Sequence, residues 1–269
     1  MLVGVLATPR NAEGVCVDAA QDVFAPAEAG EGHGAVVEYA HGGTTPIAIL
    51  GGIPGTVENC AVDQSAGTLA VPAIPPAVTY QQPTPQVAFF KNAKGTPSLI
   101  SLPKGYALLT YCAYDSSGKF LVSTYVGAQS GDKFASLELP KGTKQFVPIT
   151  LKQAFTSPFS GGIVWDGKYL DIADPSQDII YQFAISGNAG TLKAKVTLEK
   201  SYDITGFFID DGRLIAPAFS TPADGPSGTG IVNIYDYPAG GKKVGAITGV
   251  EYPAGLVVSR ALSGKKRLK

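Results

Sequence analysis

The 269-residue sequence predicts an all-β fold built from one repeated unit, and three observations support this prediction. The 33 glycines and 20 prolines are spread along the whole chain, as in proteins made of short strands and turns. No long window shows the apolar periodicity of a helix. A motif of two short strands and a turn recurs, most clearly at residues 59–71, where one apolar run ends at Asp63 and the next begins at Leu69.

The repeat has the length of a propeller blade. Its marker is an aspartate at the end of the first strand, and successive markers lie 44 to 52 residues apart. The five markers are Asp18, Asp63, Asp115, Asp166 and Asp210. Periods of this length are typical of four-stranded antiparallel propeller blades. Because each aspartate directly precedes a turn, we expect its side chain to accept hydrogen bonds from the turn's backbone N–H groups.

Each repeat continues with two further strands. Alternating apolar runs predict third strands at residues 36–39, 87–90, 134–139, 179–183 and 231–235. Fourth strands are predicted at residues 46–50, 97–102, 146–151, 192–198 and 244–248. The chain therefore contains five complete blades, at residues 9–52, 53–102, 103–151, 152–198 and 199–249.

The two ends of the chain are predicted to share a sixth blade. Shifted by 241 positions, residues 2–18 align without a gap on residues 243–259. Residues 1–8 are therefore predicted to form a fourth strand, and residues 1–8 and 250–269 together form the sixth blade of a single domain, 1–269. This blade is incomplete, and we favour a shortened N-terminus as the reason. An open edge there would invite pairing with a strand of another chain.

Charge and hydropathy exclude several function classes. The 21 basic and 22 acidic residues give a net charge of −1, without the positive surface that nucleic-acid-binding proteins carry. No run approaches the roughly 18 apolar residues of a membrane span. Residues 1–7 are too short and lack the basic segment of a signal peptide. The localisation is therefore undetermined, and it is extracytoplasmic if a longer exported precursor exists.

The repeat resembles that of NHL-type six-bladed propellers over nearly the whole chain. The segments GVCVD at 14–18, CAVD at 60–63 and DSSGKFLV at 115–122 carry the likeness. The phrases EYAHGGT, LELPKG and WDGKY are similar to those of a group of bacterial NHL-like propellers of unassigned activity. Two copies depart from the pattern: Asp22 replaces the turn glycine in the first, and Ser259 replaces the aspartate in the last. The resemblance implies a fold and no reaction.

The starts of the first strands supply candidate metal ligands. In a propeller these positions ring one mouth of the central channel, where ligands usually bind. Four oxygen-bearing side chains fall there: Glu13, Glu58, Asn59 and Asp203. Such oxygens suit Ca²⁺ or another divalent ion. Related six-bladed propellers of the gluconolactonase and paraoxonase kind use such a metal to activate water and polarise an ester carbonyl. The alternative is that these side chains cap strand starts in a wet channel that holds no metal.

Three aromatic residues are candidates for ligand binding. Tyr111 and Tyr252 precede first strands, and Trp165 lies close to a strand turn. Their rings could stack on a sugar or a peptide, or they could pack between blades. The long inserts at residues 73–86, 127–133 and 217–230 are candidate recognition loops.

The histidines and cysteines predict no catalytic site. His33 and His41 are expected to be surface turn residues, since neither has a partner in the sequence pattern. Cys16 falls on the opposite strand face from Cys60 when each is counted back from its aspartate, and first strands of adjacent blades need not bring Cys60 and Cys112 within disulfide reach. We therefore expect all three cysteines to be small buried apolar side chains.

Two functions follow from these observations. The first is a non-enzymatic binding propeller that holds a protein, peptide or glycan at the channel mouth and loops. The second is a metal-dependent hydrolase of the lactonase or esterase type, for which the divalent ion is the cofactor. A third interpretation makes the open sixth blade a docking point for another chain's strand.

Overall fold

The computed structural model describes residues 14–30, 32–74, 84–107, 111–126, 133–153, 155, 161–199, 201, 204–219, 229–251 and 255–260. Within these ranges the chain consists of strands and turns, with one short 3-10 segment at Lys91–Ala93. The all-β prediction is confirmed. The described part of the chain contains no helix that is long and apolar enough to cross a membrane. The predicted strand at residues 1–8 lies outside the described residues.

The strands form five successive antiparallel units, numbered in chain order. Unit one contains β1 Cys16–Val17, β2 Val23–Gly30, β3 His33–Tyr39 and β4 Pro46–Pro54. Unit two contains β5 Thr56–Val57, β6 Ala61–Val62, β7 Leu69–Ile74, β8 Gln86–Phe90 and β9 Ser98–Ser101. Unit three contains β10 Tyr106–Ala107, β11 Cys112–Tyr114, β12 Phe120–Val126, β13 Lys133–Leu139 and β14 Val147–Leu151.

Units four and five complete the series. Unit four contains β15 Ile163–Trp165, β16 Leu170–Asp174, β17 Ile179–Ser186 and β18 Ala189–Thr197. Unit five contains β19 Phe208–Asp210, β20 Arg213–Phe219, β21 Thr229–Asp236 and β22 Gly240–Glu251. The third and fourth strands lie where the repeat predicted them. In every unit, four strands pair in chain order, and in units two and three the additional short strands β5 and β10 pair with β7 and β12.

The outer strands join neighbouring units in the second half of the chain. β14 pairs in parallel with β18, so that units three and four form one nine-stranded sheet. A single parallel bridge between Leu198 and Gly241 links unit four to unit five. Glycine permits the pairing of β14 with β18, because a Cβ on Gly190 would lie 2.4 Å from the Leu151 side chain. The outer edge is therefore continuous from unit three to unit five.

The apolar core lies between the units, because each strand sends alternate residues to opposite faces. In β7, Leu69 and Val71 pack in the cluster shared with unit one, whereas Ala70 packs in the cluster shared with unit three. In β16, Leu170 and Ile172 face unit three. Ala173 of the same strand faces unit five. The second strands are therefore buried on both faces and read as continuous apolar runs.

A disulfide between Cys16 and Cys60 corrects the expectation that all three cysteines are unpaired. The two α-carbons lie 5.6 Å apart and join units one and two. The sequence correctly placed the two thiols on opposite strand faces. In a ring of sheets, however, one face of unit one packs against the opposite face of unit two, so that thiols on opposite faces of adjacent units can meet. Cys112 faces unit two, is free and is buried, as expected.

The marker aspartates build turns, as predicted, in four of the five units. Asp63 Oδ1 accepts hydrogen bonds from the Ser65 N–H and hydroxyl at 2.9 and 2.7 Å. Asp18, Asp115 and Asp166 likewise accept from backbone N–H groups of their own turns. The turn after Asp210 differs, because Asp210 pairs with Arg213 across a two-residue hairpin whose residues Asp211 and Gly212 both have positive φ. The carboxylate of Asp210 is therefore available for another partner.

Candidate functional site

A cavity of about 460 Å³ lies where the first strands of the units converge. Six chain segments line it, at residues 14–17, 59–62, 111–114, 162–165, 206–210 and 255–258, together with Gln21, Gln64 and Arg260. Five of these segments belong to units one to five in order. The sixth belongs to residues 255–260, in which the structure shows no strand. A volume of this size suits a small ligand or a side chain of a larger one.

The cavity has two distinguishable ends. At the end where the first strands begin, the Asn59 side chain bonds to unit three and lies against unit one. Its Oδ1 accepts from the Cys112 N–H and thiol, each at 3.4 Å. A Cβ on Gly14 would lie 2.1 Å from Asn59 Nδ2, so glycine is required at that position of unit one. Asn59 therefore joins units two and three at this end of the cavity as well as lining it.

At the turn end, side chains form hydrogen bonds between neighbouring units. Gln64 Nε2 donates to the Val17 carbonyl at 2.7 Å. Trp165 Nε1 donates to Ser116 Oγ at 3.0 Å. The Arg260 guanidinium donates to Asp210 Oδ1 through Nε at 2.5 Å and through a second nitrogen. Each of these donors reaches back to the preceding unit in the ring.

The segment 255–260 joins unit five to unit one. Besides the Arg260 contact with Asp210 of unit five, the Arg260 backbone N–H donates to Gln21 Oε1 at 2.6 Å. Ser259 Oγ donates to the Gln21 carbonyl at 2.9 Å and lies 2.7 Å from His41 Nδ1. We call these contacts of Ser259 and Arg260 the closure.

The closure brings together the two copies that depart from the repeat. Asp22 Oδ1 accepts from the His41 backbone N–H at 2.7 Å, and the His41 ring reaches Ser259. His41 was expected to lack a partner, and that expectation is wrong, because its partner lies 218 residues further along the chain. His33 is exposed, as expected, but it begins β3 and does not lie in a turn.

The contact between His41 and Ser259 is not arranged for nucleophilic catalysis. The single hydroxyl proton of Ser259 is donated to the Gln21 carbonyl. His41 Nδ1 must then be the donor in its contact with Ser259. A general base would have to accept that proton, which is the opposite direction. The pair acts as a structural contact.

The predicted metal ligands are not assembled within the described part of the chain. Asn59 lines the cavity, and Glu58 is half-buried outside the set of lining residues. Glu13 and Asp203 lie outside the described residues. Among the residues that are described, no three His, Cys, Asp or Glu side chains are placed to share an ion. The metal site therefore stays a prediction.

The predicted ligand-binding aromatics occupy different environments. Tyr111 reaches the cavity wall but is 9% exposed and packs in the apolar cluster between units three and four. Trp165 lines the cavity at its turn end and is half-buried. Tyr252 lies outside the described residues, as do residues 75–83, 127–132 and 220–228 of the predicted recognition loops.

The titratable groups on the cavity wall are held neutral or paired. Burial raises the pKa of the Cys112 thiol well above its usual value. Burial, with smaller contributions from Cys112 and Asp63, also raises the pKa of Tyr114 far above its usual value. Both side chains are therefore neutral at physiological pH. Among the described lining residues, the formally charged side chains are Asp210 and Arg260, which neutralise each other.

Sequence reasoning selected Asn59, Tyr111 and Trp165 on the cavity wall but missed Gln21, Gln64 and the Asp210–Arg260 pair. The missed residues sit in turns, where a polar side chain is ordinarily solvated. One available signal was the pair of departures from the repeat at Asp22 and Ser259. These two residues lie in the first and last copies of the repeat, which become neighbours when the ring closes.

Comparisons with known proteins bear on the fold alone. No protein-family model matches the sequence, and no curated protein matches it. The chain is similar to a chain in the crystal structure of a nidogen/laminin complex, with a TM-score of 0.60, 14% identity, and coverage of 87% of this chain and 78% of that chain. It is also similar to hydrazine synthase of Kuenenia stuttgartiensis, with a TM-score of 0.59, 10% identity, and coverage of 81% and 69%. Both are propeller-type folds, so the fold of this chain is propeller-like.

Proposed function

We propose that the chain is a non-enzymatic binding propeller that takes a neutral ligand into its central cavity. The observation that carries this proposal is the charge of the described wall, where Asp210 and Arg260 are paired and the other polar groups are amides, phenols, an indole and backbone. An ionic ligand would lose hydration there without meeting an unpaired opposite charge. An uncharged peptide segment or a sugar would find hydrogen-bonding amides and aromatic rings.

Trp165 offers a direct test, because it is the single tryptophan of the chain and lines the cavity. Its fluorescence should change saturably with neutral sugars or end-blocked peptides and not with their acidic counterparts. Gln64→Ala removes a polar group of the wall and should weaken binding by roughly 3- to 10-fold. Gln86→Ala, in which a glutamine bonded to Ser101 away from the cavity is removed, is the matched control. Saturable binding of anionic compounds alone would overturn the proposal.

The metal-dependent hydrolase is the alternative proposal. It requires Glu13, Glu58, Asn59 and Asp203 to converge on one ion with a coordination position left for water. Metal analysis of the purified protein, followed by a lactone and ester hydrolysis screen, tests it. A stoichiometric divalent ion that is lost in Glu58→Gln, together with ester hydrolysis, would establish this function over simple binding.

We further propose a six-bladed ring of the NHL type, in which residues 1–8 and 250–269 share the sixth blade and units one to five correspond to blades 9–52, 53–102, 103–151, 152–198 and 199–249. Six segments around one cavity support this count, and the closure contacts support a junction between units five and one. Deleting residues 2–8 should lower the thermal midpoint substantially, because it removes the fourth strand of the proposed sixth blade. An unchanged midpoint would argue against the shared blade.

The third proposal is that an incomplete sixth blade pairs with a strand of another chain. Size-exclusion chromatography over a range of concentrations tests the case in which the partner is a second copy. A strict monomer at the highest concentration would count against self-pairing.

The disulfide supports an oxidising compartment for the folded chain. Disulfides persist outside the reducing cytosol, and this one is formed between neighbouring units rather than at an exposed loop. We therefore propose an extracytoplasmic location. Thiol titration of the protein isolated from its native source should find one reactive thiol per chain in denaturant, from Cys112, and three thiols would contradict the proposal.

A further inference from the structure

Three side chains of unit four contact the phenol oxygen of Tyr237, which belongs to unit five. Tyr237, which follows β21, places its hydroxyl oxygen 2.6 Å from Asp166 Oδ2 and 2.8 Å from Asp171 Oδ2. Gln182 Nε2 donates to the same oxygen at 2.5 Å. Asp171 is fully buried, whereas Asp166 and Tyr237 are half-buried. None of these four residues lines the central cavity.

The hydrogen bonds around the Tyr237 oxygen require one more proton than is present when Asp166 and Asp171 are both ionised. A tyrosine hydroxyl has one proton to donate and can accept two hydrogen bonds. Gln182 fills one acceptor position, and the phenol proton serves one carboxylate. The remaining short contact would set two oxygen lone pairs against each other if both carboxyl groups were ionised. One of the two aspartates must therefore carry a proton and donate it to Tyr237.

The environments of the two aspartates decide which one is protonated. Asp166 Oδ1 accepts from the backbone N–H groups of Lys168 and Tyr169 at 2.7 and 2.5 Å, which stabilises a carboxylate. Asp171 Oδ1 is buried and has no hydrogen-bond partner. A charge on Asp171 would therefore be compensated less well than a charge on Asp166, whose carboxylate accepts two backbone N–H groups.

We propose that Asp171 is a neutral carboxylic acid in the folded protein, and that the chain Asp171–Tyr237–Asp166 is a proton-binding site that fastens unit five to unit four. The acid proton of Asp171 is donated to Tyr237, and the phenol proton is donated to Asp166. Every short contact then has one donor and one acceptor. Loss of the proton breaks this chain and leaves two carboxylates facing the same phenol.

The charges around the site set the direction of its pH dependence. Burial raises the pKa of Asp171 to about 7, with the nearby Asp166 carboxylate adding to this effect and the hydrogen bonds of Tyr237 and Gln182 opposing it. Burial and the two carboxyl groups raise the pKa of Tyr237 well above its usual value, so the phenol keeps its proton. The Lys168 ammonium lies over the Tyr169 ring, 4.7 Å from its centroid, and interacts with Asp166.

The folded-state pKa of Asp171 lies above its ordinary value of 3.8, so the folded state binds the proton more tightly than the unfolded state. The stabilisation is complete below the unfolded-state value and is lost as the pH rises through about 7. The unfolding equilibrium constant should therefore rise roughly 100-fold from about pH 5 to about pH 8.5 through this site alone.

Denaturant unfolding of three proteins across this pH range tests the proposal. Asp171→Asn keeps a donor toward Tyr237 but cannot titrate. The roughly 100-fold rise of the unfolding equilibrium constant between about pH 5 and about pH 8.5 should therefore be absent in this variant. Asp174→Asn is the matched control, because Asp174 lies on the same strand, is equally buried and bonds within its own turn to Ser176 and Gln177. It should retain the wild-type pH dependence. A wild-type pH dependence in Asp171→Asn would overturn the proposal.

A spectroscopic measurement on the unaltered protein decides the matter even if a variant fails to fold. The side-chain carboxyl carbon of Asp171, followed by NMR, should titrate with a midpoint near 7. A midpoint near the ordinary aspartate value of about 3.9 would overturn the proposal. In Asp166→Asn the stability should keep its pH dependence in the direction of the wild type. Abolition of that dependence in Asp166→Asn would place the proton on Asp166 instead and would equally refute the assignment.

Discussion

The join between units three and four and the closure between units five and one hold the same ring with different interactions. At the first, Leu121, Leu170 and Phe183 are buried in a shared apolar cluster, and the outer strands β14 and β18 pair through their backbones. At the second, Ser259 and Arg260 make side-chain and backbone hydrogen bonds to Gln21 and Asp210 from a segment without strand structure. The closure of the described chain therefore depends on a few polar contacts that are partly open to water.

The difference indicates where such a ring opens first. Apolar burial contributes about 25 cal/mol per Å², whereas an exposed ion pair contributes about 1 kcal/mol or less and is screened by salt. Local opening should therefore begin at the closure and spread into units one and five before it reaches the join between units three and four.

Phe183→Ala should have the largest effect, because Phe183 is fully buried between units three and four. We expect a loss of about 3–5 kcal/mol in the free energy of unfolding, from lost burial and a residual cavity. Denaturant titration measures it. Ile49→Ala is the control, since Ile49 is 70% exposed, and it should change stability by about 0.5 kcal/mol or less. Equal losses in the two variants would remove the distinction between the join and the surface.

Loss of the disulfide should come next. The bond closes a loop of 44 residues between units one and two, and the chain-entropy estimate for such a loop is about 4 kcal/mol. The double variant Cys16→Ala/Cys60→Ala should lose roughly 2–4 kcal/mol, and reduced wild-type protein should match it. Cys112→Ala, which alters the free buried cysteine, should lose only about 1 kcal/mol. A reductant that leaves the wild-type midpoint unchanged would show that the bond is not formed.

Ser259→Ala should have a smaller effect that is confined to the closure. It removes the donor to the Gln21 carbonyl and the partner of His41, and we expect a loss of about 1 kcal/mol. Hydrogen exchange should accelerate in residues 14–30 and 255–260 and stay unchanged in unit three. Ser117→Ala is the matched control, because Ser117 bonds to Asp115 within one turn. Faster exchange in unit three would mean that the ring opens as a whole.

Arg260→Ala should have the smallest effect. Arg260 is 60% exposed in its contact with Asp210, so the ion pair should contribute roughly 0.2–1 kcal/mol and weaken as salt is added. The difference in unfolding free energy between Arg260→Ala and wild type should shrink from low to high salt. A difference that grows with salt would indicate a packing role for the arginine stem instead.

Much of this fold could be predicted because its signals are local. The third and fourth strands follow alternating apolar runs, and Asp63 and Asp115 bond to turns that begin one residue later. The disulfide could not be predicted in the same way. Cys16 and Cys60 were correctly assigned to opposite strand faces, but their contact requires knowing that adjacent sheets present opposite faces to each other.

The candidate site was harder to predict than the fold. Asn59, Tyr111 and Trp165 follow from their positions at first strands, whereas Gln21 and Gln64 act through contacts that cross between units. His41 and Ser259 meet only because the ends of the ring meet. The buried contact between Asp171 and Tyr237 joins residues 66 positions apart, and the repeat does not predict it, since the positions equivalent to Asp171 in units two and three are the apolar Ala70 and Leu121.

The alternation within the second strands has a consequence for how this chain could change. Neighbouring positions such as Leu69 and Ala70 contact different partners. A substitution at either position therefore affects packing against one adjacent sheet only, and the sequences of the two interfaces can change independently. A single-residue insertion in β7 would exchange both sets at once, presenting small side chains where large ones are needed on one side and the reverse on the other. Loops between the strands are free to lengthen, while the strands themselves are fixed in phase.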